Sequence, residues 1–242
     1  MTKPPIGQGE GKAAQVEAMF DAIAPRYDLL NRVLSFGTDV WWRRRAVAFL
    51  KAALPGQPAA LLDVATGTAD LALALLRLGP ERVVGVDLSE GMLALGRAKV
   101  ARRGQEARVS LVQGDAAALP FADDTFDGAT AGFGVRNFED LRAGLAEIRR
   151  VLRPGAPLVV LEFSHPRAFP VKQLYRAYSR HVLPRVGRAV SKNPEAYEYL
   201  PESVAAFPDG EAFLSELRGA GFREPTARPL TFGIASLYRG RA

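Results

Sequence analysis

The stretch Leu61-Leu62-Asp63-Val64-Ala65-Thr66-Gly67-Thr68-Ala69-Asp70 decides the fold. LLDVA (61–65) is a short apolar run, a helical pattern from Asp70 to Leu78 follows it, and Gly67 lies in the turn between. A strand buried on both faces that turns tightly into a helix is the first half of a βαβ unit. The alternation repeats downstream. RVVGVD (82–87), RVSLVQ (108–113), FDGATAGF (126–133) and PLVVLEF (157–163) read as further strands. Between them Ser89–Arg102 and Asp140–Leu152 read as helices; Ser89 is the N-cap of the first, and Arg153-Pro154-Gly155 closes the second. Right-handed crossovers then give an α/β fold, a doubly wound and mostly parallel sheet.

Outward from this core the pattern changes. Residues 1–55 read as an N-terminal helical cover, with Trp41–Leu54 its clearest segment, and 56–242 as the α/β core. Within the core, 164–208 reads as an insert facing substrate or membrane. Its stretch 168–184 fits an amphipathic helix, with Val171, Leu174, Tyr175, Tyr178 and Val182 on one face and Lys172, Arg176 and Arg180 on the other. Gly210–Ala220 is a further expected helix, and 221–239 supplies two last strands.

Composition narrows the chemistry. The 242 residues are 48% hydrophobic, an ordinary globular share, which excludes a disordered or fibrous chain. Asp70, Asp87 and Glu162 break the most apolar runs, so no membrane span is expected. MTKPPIGQGEGK at the start carries no apolar signal region, which points to the cytoplasm. With no cysteine and only His165 and His181, thiol chemistry is excluded and a metal site is not expected. The net charge is +6, and seven basic residues with no acid between Phe163 and Pro194 account for the whole excess. Such a patch fits either an anionic surface or a solvated basic face.

In a doubly wound fold the ligand lies at the carboxyl ends of the strands near the topological switch point. Asp87 follows Gly67 by 20 residues, the spacing of a ribose-binding acid, but Asp70 at the helix N-terminus would repel a pyrophosphate. A dinucleotide reading therefore loses to a cationic nucleoside without phosphate, which S-adenosylmethionine (SAM) is. Asp63 and Asp70 suit its sulfonium and ammonium, Gly67 lets the backbone pass close, Asp87 suits the ribose diol, and Asp115 suits the adenine amine. A carboxylate serving the helix dipole at Asp70 and a turn residue at Asp87 are the plainer alternatives.

Three stretches carry a family resemblance: VEAMFDAIAPRYDLLNRVLSFGTDVWWRR (16–44), GFGVRNFEDLRAGLAEIRRVLRPG (132–155) running into LEFSHP (161–166), and YEYLPESVAAFP (197–208). With them the chain resembles the C-methyltransferases of menaquinone and ubiquinone biosynthesis, Rossmann-like class I methyltransferases that depend on SAM. It departs from that pattern at Gly132, where the family often has a hydroxyl residue, at His165, commonly Lys, and at Ala156, commonly Gly. The cofactor set expected from the residues and the resemblance is Asp63, Gly67, Thr68, Asp87, Leu88, Asp115 and Ala116, with Gly132 and Tyr27; S-adenosylhomocysteine is the product.

The resemblance implies methylation of a ring carbon on a reduced prenylated quinone, demethylmenaquinol first and a polyprenyl methoxy-benzoquinol as the alternative. A ring carbon becomes nucleophilic when its neighbouring hydroxyl ionises, and a phenol of pKa near ~10 is mostly neutral at pH 7. Arg136 is the expected stabiliser of that oxyanion, since a guanidinium holds charge without acting as a base. Asn137 is expected to orient the quinol oxygen. Tyr27, Asp28 and Asn31 belong to a cover that closes over the cofactor, with Asp28 a candidate base; the alternative for these three is capping and packing. His165 is a weaker candidate base. A prenyl tail costs ~25 cal/mol per Å² of apolar surface in water, so peripheral contact of 168–184 with an anionic inner leaflet is expected, core packing of its tyrosines being the rival. No nucleic-acid partner is expected, because the Asp/Asn-Pro-Pro-aromatic motif and a cysteine are both missing. A non-catalytic SAM-binding protein is the rival from another class. The oligomeric state is left open, a homodimer included.

Overall fold

The computed structural model describes residues 11–179 and 195–242. Seven strands form one sheet in the order β3-β2-β1-β4-β5-β7-β6. The strands are β1 (Ala60–Val64), β2 (Arg82–Asp87), β3 (Val109–Gln113), β4 (Gly128–Gly132), β5 (Pro157–Phe163), β6 (Arg223–Leu230) and β7 (Ala235–Arg241). β1 to β5 pair in parallel, and β7 runs antiparallel to both β5 and β6. The chain moves outward from β1 to β3 and then returns to the other side of β1 with β4. The carboxyl ends of β1 and β4 are therefore the switch point where such sheets open a crevice.

Helices cover both faces. On one side α2 (Thr38–Lys51), α3 (Asp70–Leu75) and α4 (Glu90–Arg102) bury Trp42, Leu50, Leu71, Leu75 and Val100 against Leu61, Val83 and Val159. On the other, α5 (Leu141–Val151) packs Leu145 and Ile148 onto Leu62, Val84 and Val160. That layer also holds Phe213 and Leu217 of the helix Glu211–Gly219. The capping expectations hold: Ser89 accepts from the Met92 N–H and Asp140 from the Ala143 N–H.

The element limits shift where backbone geometry intervenes. β1 ends at Val64 because Ala65 turns to φ 52 and leaves the sheet. The expected helix 70–78 is α3 followed by a 3-10 turn, Leu76–Leu78, which Gly79 closes at φ 74. β4 covers only 128–132, with Phe126 left in an isolated bridge to Leu152. The cover is α1 (Lys12–Leu34) and α2, which starts at Thr38 directly after Gly37 in a left-handed turn.

The insert holds α6 (Val171–Ala177) and α7 (Glu195–Ala206), of which only α6 was expected from the apolar pattern. The last turns of the expected helix 168–184 and its Arg180 and Val182 lie outside the described residues, as does His181. The faces of α6 are partly those expected. Tyr175 and Tyr178 of the apolar face line a cavity, together with Lys172, Arg176 and Ser179, whereas Leu174 faces outward at 66% exposure. Lys172 and Arg176 border the cavity while remaining exposed to solvent.

α1 crosses the carboxyl edge of the sheet. At ~1.5 Å per residue its 23 residues span ~35 Å, enough to bridge from the turn after β4 to α4. Lys12 Nζ donates to the Phe138 carbonyl at 2.6 Å, and Asp21 accepts from the Gly91 N–H at 3.0 Å and from the Ser89 hydroxyl. Near the far end Lys99 Nζ meets Asp28 at 2.7 Å. Between these anchors Val16, Met19 and Leu30 pack with Tyr199 of α7.

Candidate active site

The loop after β1 is built from left-handed residues at every second position: Ala65 (φ 52), Gly67 (φ 55) and Ala69 (φ 65). Such conformations cost ~1–2 kcal/mol each for alanine, a strain that clusters at ligand sites. The loop has a close neighbour as well. A Cβ on Gly134 would lie 2.3 Å from the Cβ of Ala65, so only glycine lets the β4 end pass beside it. Gly67 is held by its N–H, which donates to Asp87 Oδ2 at 2.7 Å.

Three cavities meet here, and Tyr27 and Phe133 line all three. One, lined by Asp87, Leu88, Asp115, Ala116, Gly132 and Asn137, runs along the ends of β2, β3 and β4. A second, lined by Asp28, Asp63, Gly67, Thr68, Asp70 and Gly132, lies over the β1 turn. Every expected cofactor residue thus borders one of two adjoining clefts. The third is a cavity of about 480 Å³ between α1, α2, α6 and α7, walled mainly by apolar and aromatic side chains and reached by Arg136 and His165.

The donor set fits SAM. Asp87 accepts the Gly67 N–H on one oxygen and the Ser89 N–H on the other, leaving each oxygen a lone pair for a vicinal diol. Burial pushes the Asp87 carboxyl upward against these backbone bonds. Asp63 is buried beneath the second cleft, with Thr66 Oγ1 donating to it at 2.7 Å and Thr130 Oγ1 at 2.6 Å. Burial pushes its pKa up to about 6 despite those bonds, and a nearby cation would restore its charge. Asp115 closes its own turn through the Ala117 N–H at 2.9 Å. The clefts are small, about 90 and 40 Å³, and α1 supplies part of the wall of each, Phe20 and Tyr27 in one and Tyr27, Asp28 and Asn31 in the other.

Several expected residues have other placements. Both Asp28 oxygens are engaged, by Thr68 Oγ1 at 2.6 Å and by Lys99 at 2.7 Å, and Asp28 does not line the large cavity. It latches α1 to the core, which is the packing alternative. Asp70 is paired with Lys99 at 2.6 Å and Arg43 at 3.1 Å; burial would raise its pKa, but these cations hold it below the usual range. Asn137 neighbours Arg136 in the turn Val135–Asn137, yet it borders the cofactor cleft and accepts from the Tyr199 hydroxyl at 2.9 Å. It therefore fixes a wall of the large cavity and does not face into it.

Arg136 does reach the large cavity, and what holds it was not anticipated. Its Nη1 donates to Glu162 Oε1 at 2.9 Å and to the Phe133 carbonyl, and its guanidinium carbon lies 5.6 Å from the Phe163 ring centroid. The pair is deeply buried, with side chains 6% and 0% exposed. His165 lines the same cavity, 3.4 Å from Asp209 through Nδ1. Arg43 and Lys99, each bridging two carboxylates from different elements, were also missed; apart from Arg43 and Asp39, four apart in α2, their partners lie 27 to 71 residues away, which no sequence spacing marks.

Comparison with known proteins decides the family. Residues 8–242 match the family model described as the ubiE/COQ5 methyltransferase family. The chain belongs to that family. It is 48% identical over 237 residues to the demethylmenaquinone methyltransferase of Bacteroides fragilis, covering 98% of this chain and 95% of that one. It is 50% identical over 223 residues to the demethylmenaquinone methyltransferase of Thermus thermophilus, covering 92% and 99%. A Geobacter sulfurreducens ubiquinone/menaquinone biosynthesis C-methyltransferase is 48% identical over 231 residues, covering 95% and 89%. Among solved structures, the [4+2]-cyclase SpnF aligns over 99% of this chain and 98% of its own at TM-score 0.67 and 19% identity. A SAM-dependent methyltransferase of Aquifex aeolicus aligns over 81% and 88% at TM-score 0.58 and 19% identity. These structures share the class I methyltransferase fold, and membership of the family makes the chain a SAM-dependent methyltransferase.

Proposed function

We propose that this methyltransferase adds a methyl group to a ring carbon of demethylmenaquinol, giving menaquinol. The supporting observation is the junction at Tyr27 and Phe133, where two polar clefts suited to SAM open beside an aromatic-walled cavity of about 480 Å³. That volume lies within the ~300–1,000 Å³ of small-molecule sites and suits a bicyclic ring with the first units of a prenyl tail. The two names carried by the relatives leave both ring systems in the family, and the breadth of the aromatic wall favours the naphthoquinol.

Bound in the two clefts, SAM supplies an electrophilic methyl on a sulfonium. Asp87 receives the ribose diol and Asp115 the adenine amine. Asp63, Gly67 and Thr68 border the methionyl end, and Tyr27 and Phe133 flank the junction at which it meets the ring. Phe133, Phe163 and Trp42 cluster with tilted and edge-on rings, centroids 4.6, 5.9 and 6.1 Å apart, and give the cavity an aromatic wall. Excluding water there makes the Arg136 charge worth more to an oxyanion than it would be in solvent.

The cavity mouth supports a membrane reading for the tail. Phe36 (82% exposed) has its ring 6.2 Å from that of the lining Tyr178, and Phe169 (81%) and Leu174 (66%) neighbour the lining cations Lys172 and Arg176 along the chain. Exposed apolar side chains next to cations suit an anionic lipid surface, from which a prenylated quinol can enter without crossing water. Among the described residues no helix is long and apolar enough to cross a membrane, so the contact is peripheral. Acceptor choice tests the assignment: reduced short-chain demethylmenaquinone should be methylated at least tenfold faster than the corresponding benzoquinol. The reverse order would move the chain to ubiquinone chemistry.

A further inference from the structure

The Arg136–Glu162 pair is incomplete. Arg136 Nε and Glu162 Oε2 are buried and have no hydrogen-bond partner among the described residues. Buried polar atoms are satisfied in the great majority of cases, and an orphan on a charged group costs more than one on a neutral group. Here the two orphans are opposite in kind, an N–H donor and a carboxylate acceptor, on groups already joined at 2.9 Å. A hydroxyl is the simplest group that satisfies both, since it donates one hydrogen and accepts another. Arg136 lines the large cavity with Glu162 buried directly behind it, and the wall also carries Tyr175 and Tyr199, which sense the charges of both Arg136 and Glu162.

We infer that this pair is the receptor for the acceptor's ring hydroxyl, with Glu162 taking its proton and Arg136 holding the oxyanion left behind. The inference rests on the quinol reading and supplies the proton acceptor that reading lacks. The ring O–H bond breaks as a Glu162 O–H bond forms, and the freed electron pair moves into the ring toward the ortho carbon. That carbon forms its bond to the methyl group while the old carbon–sulfur pair stays on sulfur. The ring carbon's own hydrogen then leaves to water as a proton, aromaticity returns, and Glu162 gives its proton back to the ring oxygen. One proton is released per turnover, and Glu162 ends as it began.

Burial pushes the Glu162 carboxyl upward and Arg136 opposes this, so in its ionised form it is a better base than an exposed glutamate. The titratable groups facing it are Arg136 from the β4 turn, Tyr175 of α6, Tyr199 of α7 and Tyr238 of β7. None of the tyrosines is a base at neutral pH, because burial raises each of them further.

Two measurements test the inference. In binding, the wild-type protein should hold 4-methoxy-1-naphthol at least tenfold more tightly than 1,4-dimethoxynaphthalene, which lacks the hydroxyl; equal affinities would overturn the receptor. In kinetics with reduced short-chain demethylmenaquinone, Glu162→Gln should lower kcat at least ~100-fold at pH 7, the usual weight of a general base, and leave the SAM Kd within twofold. The deficit should shrink about tenfold per pH unit up to pH 9.5, as hydroxide replaces the lost base. A loss under fivefold, or one constant with pH, would overturn the role. Should the Gln variant fail to melt cooperatively, Glu162→Asp decides. It should keep the wild-type pH profile with kcat reduced at least fivefold, and an unchanged kcat would count against Glu162. If the wild type methylates no quinol at any pH, the fault lies with the functional reading.

Discussion

Asp63 couples the cofactor to protons. Its pKa of about 6 lies well above that of an unfolded aspartate, so the folded chain holds this proton more tightly than the unfolded one. The group therefore favours the folded state fully below about pH 4, and that advantage is lost as pH rises through about 6. A cation in the adjoining cleft acts in the opposite sense, because it needs the ionised form. SAM affinity is expected to fall by up to tenfold per unit as pH drops below 6, and to be flat from 7 to 8. Calorimetry across that range checks it, and Asp63→Asn should abolish the slope. Gly134 gives a steric prediction at the same scale. In Gly134→Ala the new methyl must displace Ala65, which is held in a left-handed turn, so a loss of ~1–3 kcal/mol in stability and at least tenfold in SAM affinity is expected. Thermal melting and SAM titration of that variant measure both. The acids at the strand ends were legible because each closes a short apolar run. Glu162 was visible only as a charge within one, since its partner is 26 residues earlier and reaches it through the fold.

At the scale of elements, α1 is expected to act as a lid on the cofactor clefts. It is fastened at Lys12, at Asp21 and at Asp28, and its side chains wall both clefts. The Asp28–Lys99 pair is half exposed, so its loss should not unfold the core; exposed pairs contribute ~0.2–1 kcal/mol. Asp28→Ala is expected to raise the SAM dissociation rate about two- to fivefold, leave the melting temperature nearly unchanged and speed proteolysis within 12–34. Stopped-flow displacement of SAM reads the first; an unchanged rate would return α1 to the role of a fixed wall. The βαβ units were readable because their strands are short apolar runs bounded by caps and glycines. α6 was placed correctly, and Tyr175 and Tyr178 of its expected apolar face line the cavity, but Leu174 does not. Periodicity finds the apolar stripe of a helix packed on a core, whereas α6 borders a cavity that the exposed Lys172 and Arg176 also line.

Over the whole molecule, the sheet order puts every chemical element of the site on one edge: cofactor clefts over β1 to β4, the charged pair between the β4 turn and β5, and the apolar cavity under α1 and α6. The basic excess of the sequence falls in 163–194, and among its described residues Lys172 and Arg176 line the large cavity. Vesicles containing phosphatidylglycerol should therefore sediment the protein at low salt and release most of it at high salt. Phe169→Asp together with Leu174→Asp should reduce binding in both, and no lipid-dependent pelleting would remove the membrane from the account. The fold class, the cofactor and the family were open to sequence reading because they rest on local runs and long peculiar stretches. The pairing of Arg136 with Glu162 and the bridging by Lys99 were not, because both join elements that only the topology brings together. The central claim is that a reduced ring is methylated at carbon. Labelled methyl from SAM should enter the ring of short-chain demethylmenaquinone only after chemical reduction of the quinone, as a base-stable carbon-bound methyl. Labelling of the oxidised form, label on oxygen, or no transfer despite measured SAM binding would contradict it.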